Sequence, residues 1–378
     1  MSEVENIRKS LNATRIVVKL GSSTLTHKNG QLNLARLDKL VLQLADLHNQ
    51  GKEVILVSSG AVGAGIGKLG LKERPKTIPE KQACAAVGQG ILMHMYEKLF
   101  AEYGKIVAQV LLTREDIVDR HRFLNARNAL HTLLQLSVIP VINENDIVAI
   151  EEIRFGDNDT LSALVASLIE ADLLIILTDI EGLYTSDPRE DKNAKLIKEV
   201  DKITPQIKAL AGGAGTTFGT GGMATKIEAG KIAVNSGTTM VIANGSKNNV
   251  LRRVIEGQQV GTLFHPGKTP LQAKKKWIAF GSAVHGKIFV DKGASKALTK
   301  DGKSLLPGGI TGLEGKFKTG NTVSILDEMG KEIARGIVNY SYKEIERIKG
   351  KKTTEIEEIL GHKDFDEAVH RNNLVISI

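Results

Sequence analysis

The sequence predicts an α/β chain, with a mainly parallel sheet sandwiched by helices followed by a small, mainly β domain. Three observations carry this. Short β-branched runs alternate with stretches of helical period from Arg15 to Glu256, a pattern that calls for right-handed crossovers and a sheet covered on both faces. From Trp277 onward the texture changes to short strand-like runs separated by glycines. The 378 residues also exceed the size at which a single core keeps growing, so two domains are expected.

Arg15–Leu20 is a β-branched run closed by Gly21, which fits a buried strand ending in a loop. Leucines and alanines at helical spacing predict a helix over 32–47, and Val54-Ile55-Leu56-Val57 predicts a second strand. The same alternation gives a helix over 80–100, a strand over 106–112, a helix over 123–136 and a strand over 138–142. A helix over 161–169, strands over 173–177 and 240–243, and a helix over 248–256 complete the series. In such sheets ligands sit at the carboxyl ends of the strands. Beyond the boundary, residues 323–326 and 332–338 read as strands. The domains expected are 1–266, a proline- and lysine-bearing linker over 267–276, and 277–378.

Hydrophobic content of 42% and charged content of 25% exclude a disordered chain. The one cysteine, Cys84, cannot form an internal disulfide or a zinc cluster. Residues 1–10 are too polar for a signal peptide and no apolar run is long enough to span a bilayer, so a cytoplasmic protein without a membrane partner is expected. The net charge of +8 is concentrated where lysines 268, 274, 275, 276, 287, 292, 296, 300 and 303 face only Asp291 and Asp301. Two readings stand for this stretch: a solvated face, or a surface for an anionic partner such as RNA.

Two lysines frame the chemistry. Lys19 ends the first strand before Gly21-Ser22-Ser23-Thr24, and Lys226 ends the string Thr220-Gly221-Gly222-Met223-Ala224-Thr225-Lys226. Ammonium groups brought together over glycine loops suit a polyphosphate, and hence phosphoryl transfer. Ser58-Ser59-Gly60-Ala61-Val62-Gly63 follows the second strand and reads either as an anion-facing helix start or as a packing device. It is not a Walker loop, and the first strand feeds no dinucleotide-binding turn. Asn143-Glu144-Asn145-Asp146 and, after a hairpin-like segment, Gly156-Asp157-Asn158-Asp159 cluster amides and carboxylates at one strand end. Such groups form turns for local reasons, but two clusters at one strand end point to a site for a zwitterion. Thr178-Asp179 with Tyr184 nearby reads as a turn or as a purine and ribose contact. His121, His131 and His265 read as surface or packing residues, and no spacing suggests a transition metal.

In order, Val17-Val18-Lys19-Leu20-Gly21-Ser22, Ser58-Ser59-Gly60-Ala61, Asn143-Glu144-Asn145-Asp146, Gly156-Asp157-Asn158-Asp159, Leu177-Thr178-Asp179 and Gly221-Gly222-Met223-Ala224-Thr225-Lys226 resemble the motif series of the amino acid kinase family. The strings Phe123-Leu124-Asn125-Ala126-Arg127 and Pro140 to Asp146 narrow the resemblance to the branch that phosphorylates the side-chain carboxylate of glutamate for proline synthesis, and the carboxyl-terminal part resembles a PUA domain. This resemblance implies ATP and L-glutamate as substrates and Mg2+ arriving on the phosphates. It implies Lys19 and Lys226 at the transferring phosphoryl group with Asp159 holding them. Ser59, Asp146 and Asn158 would bind glutamate, with Asn143 and Asp157 nearby. Lys19, Gly21, Thr178, Asp179 and the loop Thr220, Gly221, Gly222, Met223, Ala224, Thr225 and Lys226 would bind ATP; Ala224 stands where serine is also met in the family.

The same resemblance implies inhibition by proline, a homo-oligomer (dimer or tetramer) and transient contact with glutamyl phosphate reductase. The rivals are another member of the family, acting on acetylglutamate or aspartate, and an RNA-binding protein working through the PUA-like domain. Against RNA, an aromatic content of 4% leaves few stacking platforms, although Trp277 and Phe280 lie beside the lysines.

Overall fold

The computed structural model describes residues 11–27, 31–149, 158–210, 222–266 and 284–376, in two compact units, Met1–Pro270 and Leu271–Ile378. The linker expected over 267–276, Trp277, Phe280 and most of the hairpin-like segment before Asp157 lie outside the described residues.

In the first unit β1 (Arg15–Leu20), β2 (Glu53–Val57), β3 (Val107–Leu112), β4 (Ile139–Glu144), β5 (Leu173–Thr178), β6 (Glu199–Val200), β7 (Thr239–Asn244) and β8 (Thr262–Phe264) form one sheet. Their spatial order is β3-β4-β2-β1-β5-β7-β8-β6, parallel throughout except where β8 runs against β7. β4 and β5 are buried at every residue and β1 at all but Arg15, which is why they read as unbroken apolar runs. β3, at the sheet edge, is mostly half-buried, with Gln109 and Leu111 exposed.

Among the described residues the helices of this unit are α1 (Ser22–Leu25), α2 (Leu34–Asn49), α3 (Ala61–Leu69), α4 (Ile78–Ala101), α5 (Arg114–Val118), α6 (Arg120–Gln135), α7 (Asp159–Leu168), α8 (Pro205–Leu210), α9 (Met223–Ser236) and α10 (Val250–Ile255). The helix read from residue 32 begins two residues later, because Leu32 bridges Thr26 and the Asn33 side chain caps the helix by accepting from Arg36 N. Ile16, Val18 and Leu20 pack on one face with Leu40 and Leu44 of α2 and Leu92, Tyr96 and Phe100 of α4. Val17, Ile55 and Ile176 pack on the other with Leu161 and Val165 of α7 and Ile227 and Ala233 of α9. The two-residue period of a strand therefore puts Lys19 on the Val17 face, toward the helices that carry Asp159 and Lys226.

α3 and α4 cross with their backbones touching. A Cβ on Gly88 would sit 1.8 Å from Ala61 O, and one on Gly65 would sit 1.9 Å from Cys84 O. Gly88→Ala is therefore expected to destabilise the fold by about 1–3 kcal/mol, because overpacking against a backbone carbonyl outweighs the gain of up to about 1 kcal/mol in helix propensity. Urea unfolding checks it: a midpoint at or above that of the parent chain contradicts the crossing.

The second unit is a five-stranded sheet of β9 (Val284–Val290), β10 (Ile310–Gly315), β11 (Thr322–Leu326), β12 (Glu332–Ile337) and β13 (Leu374–Ile376), ordered β10-β9-β11-β12-β13. Among the described residues three α-helices accompany it: α11 (Lys292–Thr299), α12 (Tyr342–Ile348) and α13 (Ile356–Leu360). Ile288, Val323, Ile325, Tyr340, Ile345 and Ile356 lie in its separate core. Among the described residues no helix is long and apolar enough to cross a membrane.

Candidate active site

Parallel registry sets the site. Lys19 pairs in register with Val57 of β2 and Ile176 of β5, so β1, β2 and β5 end at one edge and release their loops side by side. Gly21 N donates to Leu177 O, and Ser58 N donates to Ile142 O, which extends the edge to β4. A Cβ on Gly21 would lie 3.3 Å from that Leu177 carbonyl, so the loop after β1 hugs β5. Gly60, the N-cap of α3, has φ +91°, a left-handed conformation that glycine adopts without penalty.

Asp159 is the centre of this edge. It is the first residue of α7 and fully buried. Its Oδ1 lies 2.6 Å from Lys19 Nζ and its Oδ2 lies 3.0 Å from Lys226 Nζ. Both lysines are themselves buried, at 4% and 5% exposure. Lys226 reaches this point from the first turn of α9, where Thr225 Oγ1 lies 2.7 Å from Gly222 O and 3.2 Å from Asp159 Oδ2. Burial alone would raise the Asp159 carboxyl, but the charges and hydrogen bonds of Lys19 and Lys226 outweigh it and hold the group at about 2. The trio carries one excess positive charge, so an anion is the ligand it attracts.

The preceding residue belongs to a second cluster. Asn158 Nδ2 donates to Ser58 O at 2.5 Å and to Asn143 Oδ1 at 2.7 Å. Asn143 Nδ2 donates in turn to Gln89 Oε1 at 2.6 Å. Beside them, Ser59 Oγ is buried and has no hydrogen-bond partner among the described residues, a polar group of the kind that a ligand completes. Asp146 stands half-buried in the turn that follows β4, three residues beyond Asn143. Adjacent residues of one helix start thus serve two clusters, one of amides and hydroxyls, the other of paired charges.

On the β5 side, Thr178 is buried and its Oγ1 donates to Asp179 Oδ1 at 3.1 Å, while Asp179 is exposed. Asn244 Nδ2 donates to Asp179 O, and Gly245 N donates to Thr178 O, tying β5 and β7 together at the same edge.

The structure thus joins Lys19, Asp159, Thr225 and Lys226 in one cluster, and Asn143 with Asn158 in another. Ser59 adjoins the second cluster through Ser58. Gly21, Thr178 and Asp179 share the edge, and Gly222, Met223 and Ala224 open the helix that delivers Lys226. Asp157, Thr220 and Gly221 lie outside the described residues, as does the His121 side chain. His131 is half-buried, and His265 Nε2 meets Glu199 Oε2 at 3.1 Å, a contact within the sheet's far edge. Sequence reading passed over Gln89, Tyr96 and Asn244. The first two sit in a helix with too little amphipathic contrast to mark them, although Gln89 meets Asn143 and Tyr96 meets Ser58.

Residues 14–244 match the amino acid kinase family and residues 286–360 match the PUA domain. A glutamate 5-kinase of Caldanaerobacter subterraneus subsp. tengcongensis is 61% identical over 96% of this chain and 97% of its own length. One of Moorella thermoacetica is 57% identical over 96% of each. Among solved structures, a UMP kinase of Bacillus anthracis aligns with a TM-score of 0.46 at 18% identity, covering 67% of this chain and 96% of that one.

Proposed function

The chain belongs to the amino acid kinase family, and we propose that it transfers the terminal phosphoryl group of ATP to the side-chain carboxylate of L-glutamate. The observation that carries this reading is the buried Asp159 carboxylate with one lysine ammonium on each oxygen, one residue from the amide cluster of Asn158 and Asn143. Phosphoryl transfer needs positive charge where the phosphates meet and groups that hold an acceptor alongside; the lysine pair and the amide cluster at one strand edge support that reading. The likeness to glutamate 5-kinases over nearly the whole chain selects glutamate as that acceptor.

In this reading a carboxylate oxygen of glutamate attacks the terminal phosphorus, the bond to the bridging oxygen breaks, and its electron pair leaves with ADP. The nucleophile is already ionised, so no residue has to remove a proton. Lys19 and Lys226 bear on the phosphoryl oxygens and the bridging oxygen, and Asp159 keeps the two ammonium groups from repelling one another apart. Ser59, Asn158 and Asp146 hold glutamate, with Asn143 and Asp157 beside them. Gly21, Thr178, Asp179 and the Thr220–Lys226 loop hold the nucleotide.

Magnesium fits this site as a passenger on the phosphates. Among the described residues no group of three or more histidine, cysteine, aspartate or glutamate side chains is placed to hold a cation, and both oxygens of Asp159 face ammonium groups. When bound, such an ion neutralises phosphate charge. Homo-oligomerisation, inhibition by proline and hand-over of the acyl phosphate to a reductase belong to the same reading and rest on the family likeness.

The test is a hydroxamate assay comparing glutamate, N-acetylglutamate and aspartate, with and without proline. Turnover of glutamate alone supports the proposal; preference for either rival ends it. Asp146→Ala is expected to raise the glutamate Michaelis constant by at least about tenfold and to lower the maximal rate much less, since a charge that binds substrate equally in ground and transition states acts on affinity. Steady-state kinetics read this directly, and an unchanged Michaelis constant removes Asp146 from the substrate site.

A further inference from the structure

The geometry points to Gln89 as a positioning residue for the amino acid substrate: it satisfies the Asn143 amide and so, together with Ser58 O, holds the Asn158 amide with Oδ1 toward the substrate. This inference rests on the reading of the Asn143–Asn158 cluster as the glutamate site. It adds a residue that touches neither substrate nor nucleotide.

An amide presents one accepting oxygen and one donating nitrogen, so a chain of amides has a direction. Gln89 turns its oxygen to Asn143, which must answer with Nδ2. That leaves Asn143 Oδ1 facing Asn158, which must answer with its own Nδ2 and donates a second proton to Ser58 O. Both Asn158 protons are then used, and Oδ1 is the edge it has left to offer. An acceptor at that position suits the ammonium group of an amino acid. Turning Asn158 over would set oxygen against oxygen at both Asn143 and Ser58.

Ser58 O already sets this direction at Asn158; Gln89 supports it at the Asn143 end, where α4 is held in place. The Gly65 and Gly88 backbones bring α3 and α4 into contact one residue from Gln89. Gln82, Gln89 and Tyr96 are seven residues apart, so they recur on nearly the same helix face about every 10.5 Å. Gln82 Nε2 donates to Ile147 O at 2.7 Å, and Tyr96 OH lies 2.8 Å from Ser58 Oγ. One row of side chains thereby touches the turn bearing Asp146, the strand end bearing Asn143 and the segment bearing Ser59. Tyr96 is fully buried, and burial pushes its hydroxyl far above the ordinary tyrosine range, so it stays a neutral brace.

The experiment compares Gln89→Leu, Gln89→Met and Gln89→Glu in the full chain, after wild-type turnover of glutamate has been measured. Leucine and methionine remove the oxygen that Asn143 donates to; glutamate keeps it. With Leu or Met the glutamate Michaelis constant should rise about ten- to hundredfold, the scale of an unsatisfied buried amide, while that for ATP moves by less than about twofold. Gln89→Glu should restore most of the loss. In an Asn143→Ala background, Gln89→Met should add little. The inference falls if Glu behaves like Leu and Met, if the two Michaelis constants rise together, if none changes, or if the Asn143→Ala and Gln89→Met effects add in full. A wild-type chain that ignores glutamate instead sinks the functional reading itself, and does so before any Gln89 variant is made.

Discussion

Methionine in place of Lys226 is expected to lower turnover by roughly a hundred- to thousandfold, the usual worth of one preorganised donor at a site of developing charge. Lys19→Met should do the same. Each ammonium is buried against one oxygen of the same carboxylate, so its charge acts through little intervening water and is already in place before the reaction begins. The Michaelis constant for glutamate should move less than the rate, because both ammonium groups bear on Asp159, where the phosphates are expected to meet. A second effect must be separated from the first. Removing one ammonium leaves Asp159 half-compensated in a fully buried position, and breaking a buried pair typically costs about 3–5 kcal/mol. Thermal melts beside steady-state rates divide the two contributions. A folded Lys226→Met protein whose maximal rate stays within about tenfold of wild type would remove this lysine from the reaction.

Much of this candidate site is legible in the sequence. Lys19 stands out because a charged residue interrupts a run that the parallel sheet requires to be apolar, and Lys226 because a glycine string precedes it. The strand–helix alternation gave the first unit's sheet because β1, β4 and β5 are buried on both faces. Elsewhere the sequence carried less. β6 and β8 have two and three residues, too few for any period, so the antiparallel turn of β8 against β7 left no mark. The lysines at 292, 296 and 300 read as a basic stretch and hid α11, whose four-residue spacing puts these charges on one exposed face while Leu298 is buried. Local chemistry also could not separate Asp159 from Asp157, since both fit a turn. The resemblance singled out Asp159, and in the structure it meets both lysines. Gln89 was beyond reach, because its partner lies 54 positions away and nothing local to α4 announces it.

Asparagine at Asp159 should abolish detectable turnover and lower the melting temperature on the order of 10 °C, from about 3–5 kcal/mol of lost pairing. The substitution keeps the shape and removes the carboxylate charge that both ammonium groups share, so two buried cations lose a common counter-ion. An anion should then take over part of the carboxylate's task. ATP or inorganic phosphate is therefore expected to raise the melting temperature of Asp159→Asn more than that of the wild type, a sign that a mere packing defect would not produce. Acid titration gives an independent check. Asp159 is held at about 2, below its ordinary 3.8, and a carboxyl whose folded value is depressed stabilises the fold above its unfolded value and ceases to do so as pH falls through the folded one. This contribution, on the order of 2 kcal/mol, is thus present above about pH 4 and lost between about pH 4 and 2. The wild-type stability curve should fall across that window more steeply than the curve of Asp159→Asn. Parallel curves, or equal protection of both proteins by phosphate, would mean that the two lysines do not depend on Asp159 as their counter-ion.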